Sequence, residues 1–190
     1  MRYLLDTNVV SELRKIGDGK ADANVVAWIG AEDASRFFLS AITILELERG
    51  VVGVYRRDAA QGARLRSWLD SHVRPEFAGR ILPVDDAVAT RCAHLHIPDR
   101  RNEADALIAA TALVHDMTVV TRNTRDFEGT GVVIVDPWQR LTLHFYPNTG
   151  AGTPVSQMRT RWTLTPPRPS PSRSRRRHRP LPARNRSGRG

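Results

Sequence analysis

The chain has 190 residues, 41% of them hydrophobic, enough for one ordinary domain whose core needs no disulfide or structural metal. All 20 acidic residues precede position 141 together with 18 of the 29 Lys+Arg, a net −2, whereas residues 141–190 hold 11 Arg and no acid. The overall +9 therefore belongs to the C-terminal segment, and the bulk charge is no sign of nucleic-acid binding by the rest. A single cysteine, Cys92, excludes an intramolecular disulfide, fits a reducing compartment and is read as helix packing. No apolar run nears the roughly 18 residues that span a bilayer, and no signal-peptide segment opens the chain. A soluble, cytoplasmic protein without membrane attachment is expected.

In chain order, residues 2–5 read as a strand, followed by a helix from Thr7 or Asn8 to about Lys15 with Asn8 as a plausible cap. A second helix spans about 21–31 through Val25, Val26 and Ile29, and Phe37, Phe38 and Leu39 form a short strand. Ser40 opens the next helix by capping, and Gly50 and Gly53 weaken its second half. The stretch 59–73, with Leu65, Trp68 and Leu69 at helical spacing, pairs with it as a helical hairpin.

A short strand over Arg80–Val84 ends at Pro83, and a helix runs from Asp86 to His94. Asn102 opens a helix apolar nearly all round, through Leu107, Ile108, Ala109, Ala112 and Leu113, so it is expected to be buried. Thr118–Thr121 and Val132–Val135 are β-branched runs of strands covered on both faces. Strands separated by helices imply an α/β sandwich with a largely parallel sheet. After Trp138 the pattern stops. Residues 1–140 form the domain, and residues 141–190, rich in Arg and Pro, form a tail expected to be disordered beyond about residue 150.

The chemistry-bearing positions are acidic. Asp6 stands at the carboxyl end of an apolar strand, where α/β folds place ligands, and its charge needs compensation there. Glu46 shares a helix face with Ile42 and Gly50, while Glu48, about 200° further round, is free to pair with an Arg in solvent. Asp105 sits in the first turn of the apolar helix, where the helix dipole also favours an acid. Asn123 and Asp126 leave the end of the strand 118–121, on the same sheet edge as Asp6.

Taken together these oxygens suit a hard cation such as Mg²⁺, which binds a few carboxylates and keeps several waters. Zinc is not expected, since the six histidines give no i, i+4 pair. A phosphate-cradling Gly-rich loop and a Ser-centred nucleophile elbow are both missing.

Leu4-Leu5-Asp6-Thr7-Asn8, the run Leu39-Ser40-Ala41-Ile42-Thr43-Ile44-Leu45-Glu46-Leu47, the run Ala104-Asp105-Ala106-Leu107-Ile108-Ala109-Ala110-Thr111-Ala112 and Thr121-Arg122-Asn123 resemble, in order and spacing, PIN-domain proteins of the VapC/FitB type. These are the toxin halves of toxin–antitoxin pairs. The resemblance implies a PIN-like three-layer α/β sandwich, a Mg²⁺- or Mn²⁺-dependent endoribonuclease acting on RNA, a homodimer, and inhibition by a cognate antitoxin that alone contacts operator DNA. It also implies that the hairpin carries antitoxin and self-association contacts. Asp6, Glu46 and Asp105 fall on three of the family's acidic positions. Asn123 stands where many members carry a fourth acid, a departure that leaves two alternatives: Asp126 supplies the missing oxygen, or a second metal binds poorly.

Phosphodiester hydrolysis is thus the leading expectation, with a cation held by Asp6 and Asp105 and with Glu46 placing the attacking water or a second ion. The alternative is a subunit of an antitoxin-bound, DNA-binding repressor complex with little or no nuclease activity. A haloacid-dehalogenase-like phosphatase fits the strand-terminal Asp6, but that chemistry wants a second Asp where this chain has Asn8.

Overall fold

A computed structural model describes residues 1–139 of the chain. The expected tail at 141–190 lies outside the described residues.

The first strand, β1 (Tyr3–Leu5), turns directly into helix α1 (Thr7–Leu13). Asp6, rather than Asn8, is the cap: its backbone is extended and its carboxylate accepts from the Thr7 N–H. After α2 (Ala23–Ala31), capped by Asp22, strand β2 (Phe37–Ser40) leads through Ser40 into α3 (Ala41–Tyr55). The Ser40 hydroxyl accepts from the Ile42 N–H, as its capping chemistry requires.

Helix α3 runs unbroken past Gly50 and Gly53, the two residues expected to weaken its second half. Each glycine costs about 1 kcal/mol in a helix interior. Buried Leu47 and Val51 offset that cost by packing into the core. The antiparallel partner is α4 (Ala59–Trp68), continued by a π-helical turn, Leu69–Val73, and the short α5 (Arg74–Glu76). There follow β3 (Ile81–Leu82), α6 (Asp86–Leu95), α7 (Glu103–Val114), β4 (Thr118–Val120) and β5 (Ile134–Val135). β3 and β5 are shorter than the apolar runs that predict them.

The five strands are all parallel, in the order β3-β2-β1-β4-β5. The order reverses at β1, so the carboxyl ends of β1 and β4 flank the crevice where such sheets bind ligands. Alternation along β1 divides the core. Tyr3 and Leu5 join α1, α2, Leu47 of α3 and Trp68 on one face. Leu4 and Val119 join Ile108, Ala109 and Ala112 of α7 on the other. Helices thus cover both faces of a three-layer sandwich, and α7 is buried between the sheet and α6. Among the described residues, no helix is long and apolar enough to cross a membrane.

The hairpin is closed by a small residue and by charge. A Cβ on Gly62 would meet the Tyr55 Cα at 2.4 Å and its Cβ at 2.6 Å. Gly62→Ala should force α3 and α4 apart and cost about 1–3 kcal/mol. The measurement is the urea midpoint, and an unchanged midpoint would contradict this close approach.

Glu48 accepts from Arg66 at 2.8 and 2.6 Å and from Arg74 at 2.6 Å. These bonds, Arg66 first, hold its carboxyl down from 4.5 to about 2. A depressed carboxylate contributes stability above its unfolded pKa and loses it as pH falls toward the folded one. Glu48→Gln should cost about 1 kcal/mol at neutral pH. It should also flatten the fall in thermal midpoint between pH 4.5 and about 2, whereas an acid limb matching wild type would refute the clamp.

Candidate metal centre

Asp6 closes the carboxyl end of β1, and its backbone N–H continues the sheet by donating to the Val120 carbonyl at 3.0 Å. Its side chain is fixed at both oxygens. Oδ1 accepts from the Thr7 N–H at 2.6 Å. Oδ2 accepts from Asn8 Nδ2 at 2.7 Å and from the Thr121 hydroxyl at 2.6 Å. Each carboxylate oxygen has two lone pairs, so a cation still finds a donor there. Burial pushes the Asp6 carboxyl up, the bonds from Thr121 and Thr7 pull it back, and Glu46 and Asp126 raise it further.

Thr43, buried one turn before Glu46, donates to the Leu5 carbonyl at 3.3 Å and so ties α3 to the end of β1. Glu46 in turn accepts from the Thr7 hydroxyl. The neighbouring Glu48 is turned to Arg66 and Arg74, away from this edge.

Asp105 enters from the first turn of α7, where the Asn102 side chain caps the N–H groups of Ala104 and Asp105 at 2.9 and 3.4 Å. Its carboxyl is pushed up to about 6, first by burial and then by Asp126, Asp6 and Glu46. The charges that raise it are those of other carboxylates.

Asp126 lies on the single turn Thr124–Phe127 after β4 and is exposed, yet close enough to bear on both Asp6 and Asp105. Asn123 takes part through its backbone. Its N–H donates to Thr121 Oγ1 at 3.0 Å, and its carbonyl accepts from the Asp126 N–H at 3.2 Å.

Segments more than 100 residues apart in sequence thus bring Asp6, Glu46, Asp105 and Asp126 together at one sheet edge, with Asn123 in the turn that carries Asp126. Among the described residues, no cationic side chain balances Asp105. Clustered, mutually repelling oxygens at a sheet edge could hold a hard divalent cation.

Thr7, Asn8 and Thr121, which orient the carboxylates, carry no site role in the sequence pattern, where they are a helix start, a candidate cap and a strand end. Thr121 reads as the last residue of a β-branched strand, but the strand ends at Val120 and its hydroxyl turns onto Asp6. The available signal is its place, a Thr between a buried strand and a polar turn.

Comparison with known proteins places this geometry in context. A model described as the PIN domain matches residues 3–132. The VapC ribonuclease Y4jK of Sinorhizobium fredii is 38% identical over 144 residues, covering 72% of this chain and 97% of that protein. Toxin FitB of Neisseria gonorrhoeae is 38% identical over 141 residues, covering 71% of this chain and 97% of its own. A solved structure of FitAB bound to an IR36 DNA fragment matches with a TM-score of 0.65 and 35% identity, covering 75% of this chain and 99% of the matched one.

Proposed function

The chain belongs to the PIN-domain family, and on that premise we propose that it is a divalent-metal-dependent endoribonuclease, the toxin of a toxin–antitoxin pair. The observation that carries this reading is the convergence of Asp6, Glu46, Asp105 and Asp126, with the charges of the other carboxylates raising Asp105. An all-oxygen, electrically unbalanced cluster is the kind of donor set that suits Mg²⁺ or Mn²⁺, whereas dedicated zinc sites draw on nitrogen and sulfur ligands.

Asp6 and Asp105 would hold the first ion, with Glu46 and Asp126 beside it for a second ion or for the attacking water. When bound, the cation supplies Lewis-acid polarisation of a phosphodiester oxygen and acidifies water. Thr121, Asn8 and the Thr7 N–H keep the Asp6 carboxylate in one orientation, so little reorganisation is needed on loading. The Thr7 hydroxyl holds Glu46 against the same edge. Water is the nucleophile, which leaves a 5′-phosphate and a 3′-hydroxyl and demands no Ser, Cys or His base.

The deciding experiment is single-turnover cleavage of RNA by the purified protein in Mg²⁺ or Mn²⁺, with and without chelator. Metal-dependent cuts with 5′-phosphate ends are expected. Cleavage that survives chelation, or none in either metal, would overturn the reading.

The hairpin supports the partner half of the proposal. Leu45, Val52 and Tyr55 are each at least half exposed on α3. Val51, Val52, Tyr55 and Ala63 line an apolar groove rimmed by Arg56 and Arg66. An unpartnered apolar face of this kind suits an antitoxin segment or a second copy of the chain. Operator DNA would be reached only through the antitoxin.

Every proposed ligand precedes residue 140. Removal of residues 145–190 should therefore preserve folding and cleavage while weakening nonspecific RNA binding and its salt dependence, since 11 Arg are lost. Circular dichroism and RNA binding at two salt concentrations check this, and insoluble truncated protein would contradict it.

A further inference from the structure

Beyond the carboxylate edge, the C-terminal end of α6 carries a second cluster of different chemistry. Cys92 and His96 stand one helical turn apart, and the connection to α7 brings Glu103 against them. Cys92 Sγ lies 3.8 Å from His96 Nε2, and Glu103 Oε2 lies 3.5 Å from the same nitrogen. The three ligand atoms fall within 4.8 Å of one another. Ligands arranged tetrahedrally around zinc at about 2.0–2.3 Å stand about 3.4–3.6 Å apart, so small side-chain adjustments close the set on an ion. Comparing histidines only with each other overlooks this pair, because the i, i+4 partner of His96 is the cysteine.

A thiol, an imidazole and one carboxylate make a soft, nitrogen- and sulfur-bearing set that selects zinc-class metals over Mg²⁺. We propose that Cys92, His96 and Glu103 form a site for a late first-row divalent cation, zinc above all, with water as the fourth ligand. The ion ties the end of α6 to the start of α7. Cys92 is buried at 3% exposure whereas the Glu103 side chain is 69% exposed, so the carboxylate side is the way in.

The existing contacts of His96 give way on binding. The Arg101 N–H donates to His96 Nδ1 at 3.2 Å, which puts the ring proton on Nε2, between thiol and carboxylate. On binding, that proton moves to Nδ1, the thiol proton leaves to solvent, and the Arg101 N–H turns to water. The Arg101 bond and the two long Nε2 contacts are exchanged for coordination at three ligands. Because Glu103 lies two residues before Asp105, the same ion fixes the helix end that presents a carboxylate to the sheet edge.

The test uses the full chain, stripped with chelator and titrated with Co²⁺, then with Zn²⁺. Cys92 is the chain's one cysteine, so a thiolate-to-cobalt charge-transfer band reports this site and no other. With excess Mg²⁺ present to occupy the carboxylate edge, the band should saturate with one cobalt per thiol, be bleached by Zn²⁺, and persist in Asp6→Asn. Cys92→Ser should abolish it, and His96→Gln and Glu103→Gln should each weaken Co²⁺ binding at least tenfold. The last two change partly exposed side chains, and circular dichroism verifies their folding, so they decide the matter even if the buried Cys92 variant misfolds. Absence of the band in wild type, its loss in Asp6→Asn, or its indifference to both His96→Gln and Glu103→Gln would overturn the proposal and leave a hydrogen-bonded trio only.

Discussion

Asp6→Asn and Asp105→Asn should each reduce metal-dependent RNA cleavage to below about one-thousandth of wild type, because several kcal/mol of charge stabilisation is removed and each 1.36 kcal/mol is tenfold in rate. Both variants should stay folded. Asn at position 6 keeps an oxygen to accept the Thr7 N–H, the Thr121 hydroxyl can rotate to accept from the new amide, and the Asn8 amide, which donates to the same oxygen, has to turn aside. Asp105→Asn has a second signature. The Asp105 carboxyl is raised from 3.8 to about 6, so the stability it contributes is complete below 3.8 and lost as pH rises through about 6. In the metal-free protein at neutral pH its charge therefore opposes folding. Asp105→Asn should raise the metal-free melting temperature and abolish most of the further rise caused by Mg²⁺. Wild-type-like cleavage by either variant removes the nuclease proposal. A drop in metal-free stability for Asp105→Asn would show that the carboxylates do not repel one another.

Asp126→Asn should raise the Mg²⁺ or Mn²⁺ concentration needed for half-maximal cleavage about tenfold, equivalent to about 1.4 kcal/mol of cation binding. Asp126 bears on both Asp6 and Asp105, so removing its charge weakens attraction for any ion lying between them. Asn123→Asp should act in the opposite sense, restoring a negative charge next to Thr121 and lowering the metal requirement. Its effect should be the smaller, since Asn123 meets the site through its backbone and its side chain is exposed. Metal titration of cleavage in both variants separates the roles. If neither shifts the metal dependence, the site contracts to Asp6, Glu46 and Asp105, and the loop only shapes the turn.

Part of this arrangement is legible from local pattern. The uninterrupted apolar run ending at Asp6, the Ser40 cap and the apolar helix behind Asn102 each report their own secondary structure, because burial on both sheet faces leaves no polar alternation and orphan helix N–H groups need an acceptor. Glycine is only partly legible in this way. Gly50 and Gly53 lie within a helix whose tertiary packing outweighs their local cost, whereas the glycine that matters is Gly62, because Tyr55 of the neighbouring helix leaves no room for a Cβ.

What the sequence alone determined was the order of strands and helices and the chemical types placed at their ends, since periodicity, capping and charge placement act over a few residues. The tertiary structure decided which of those ends meet. The parallel order β3-β2-β1-β4-β5 sets Thr121 against Asp6 across 115 positions and turns Asp105 and Asp126 toward them. It also decided that Glu103 reaches Cys92 and His96. These encounters depend on parallel crossovers and helix packing over long loops, and no short-range pattern encodes which distant side chains share a volume.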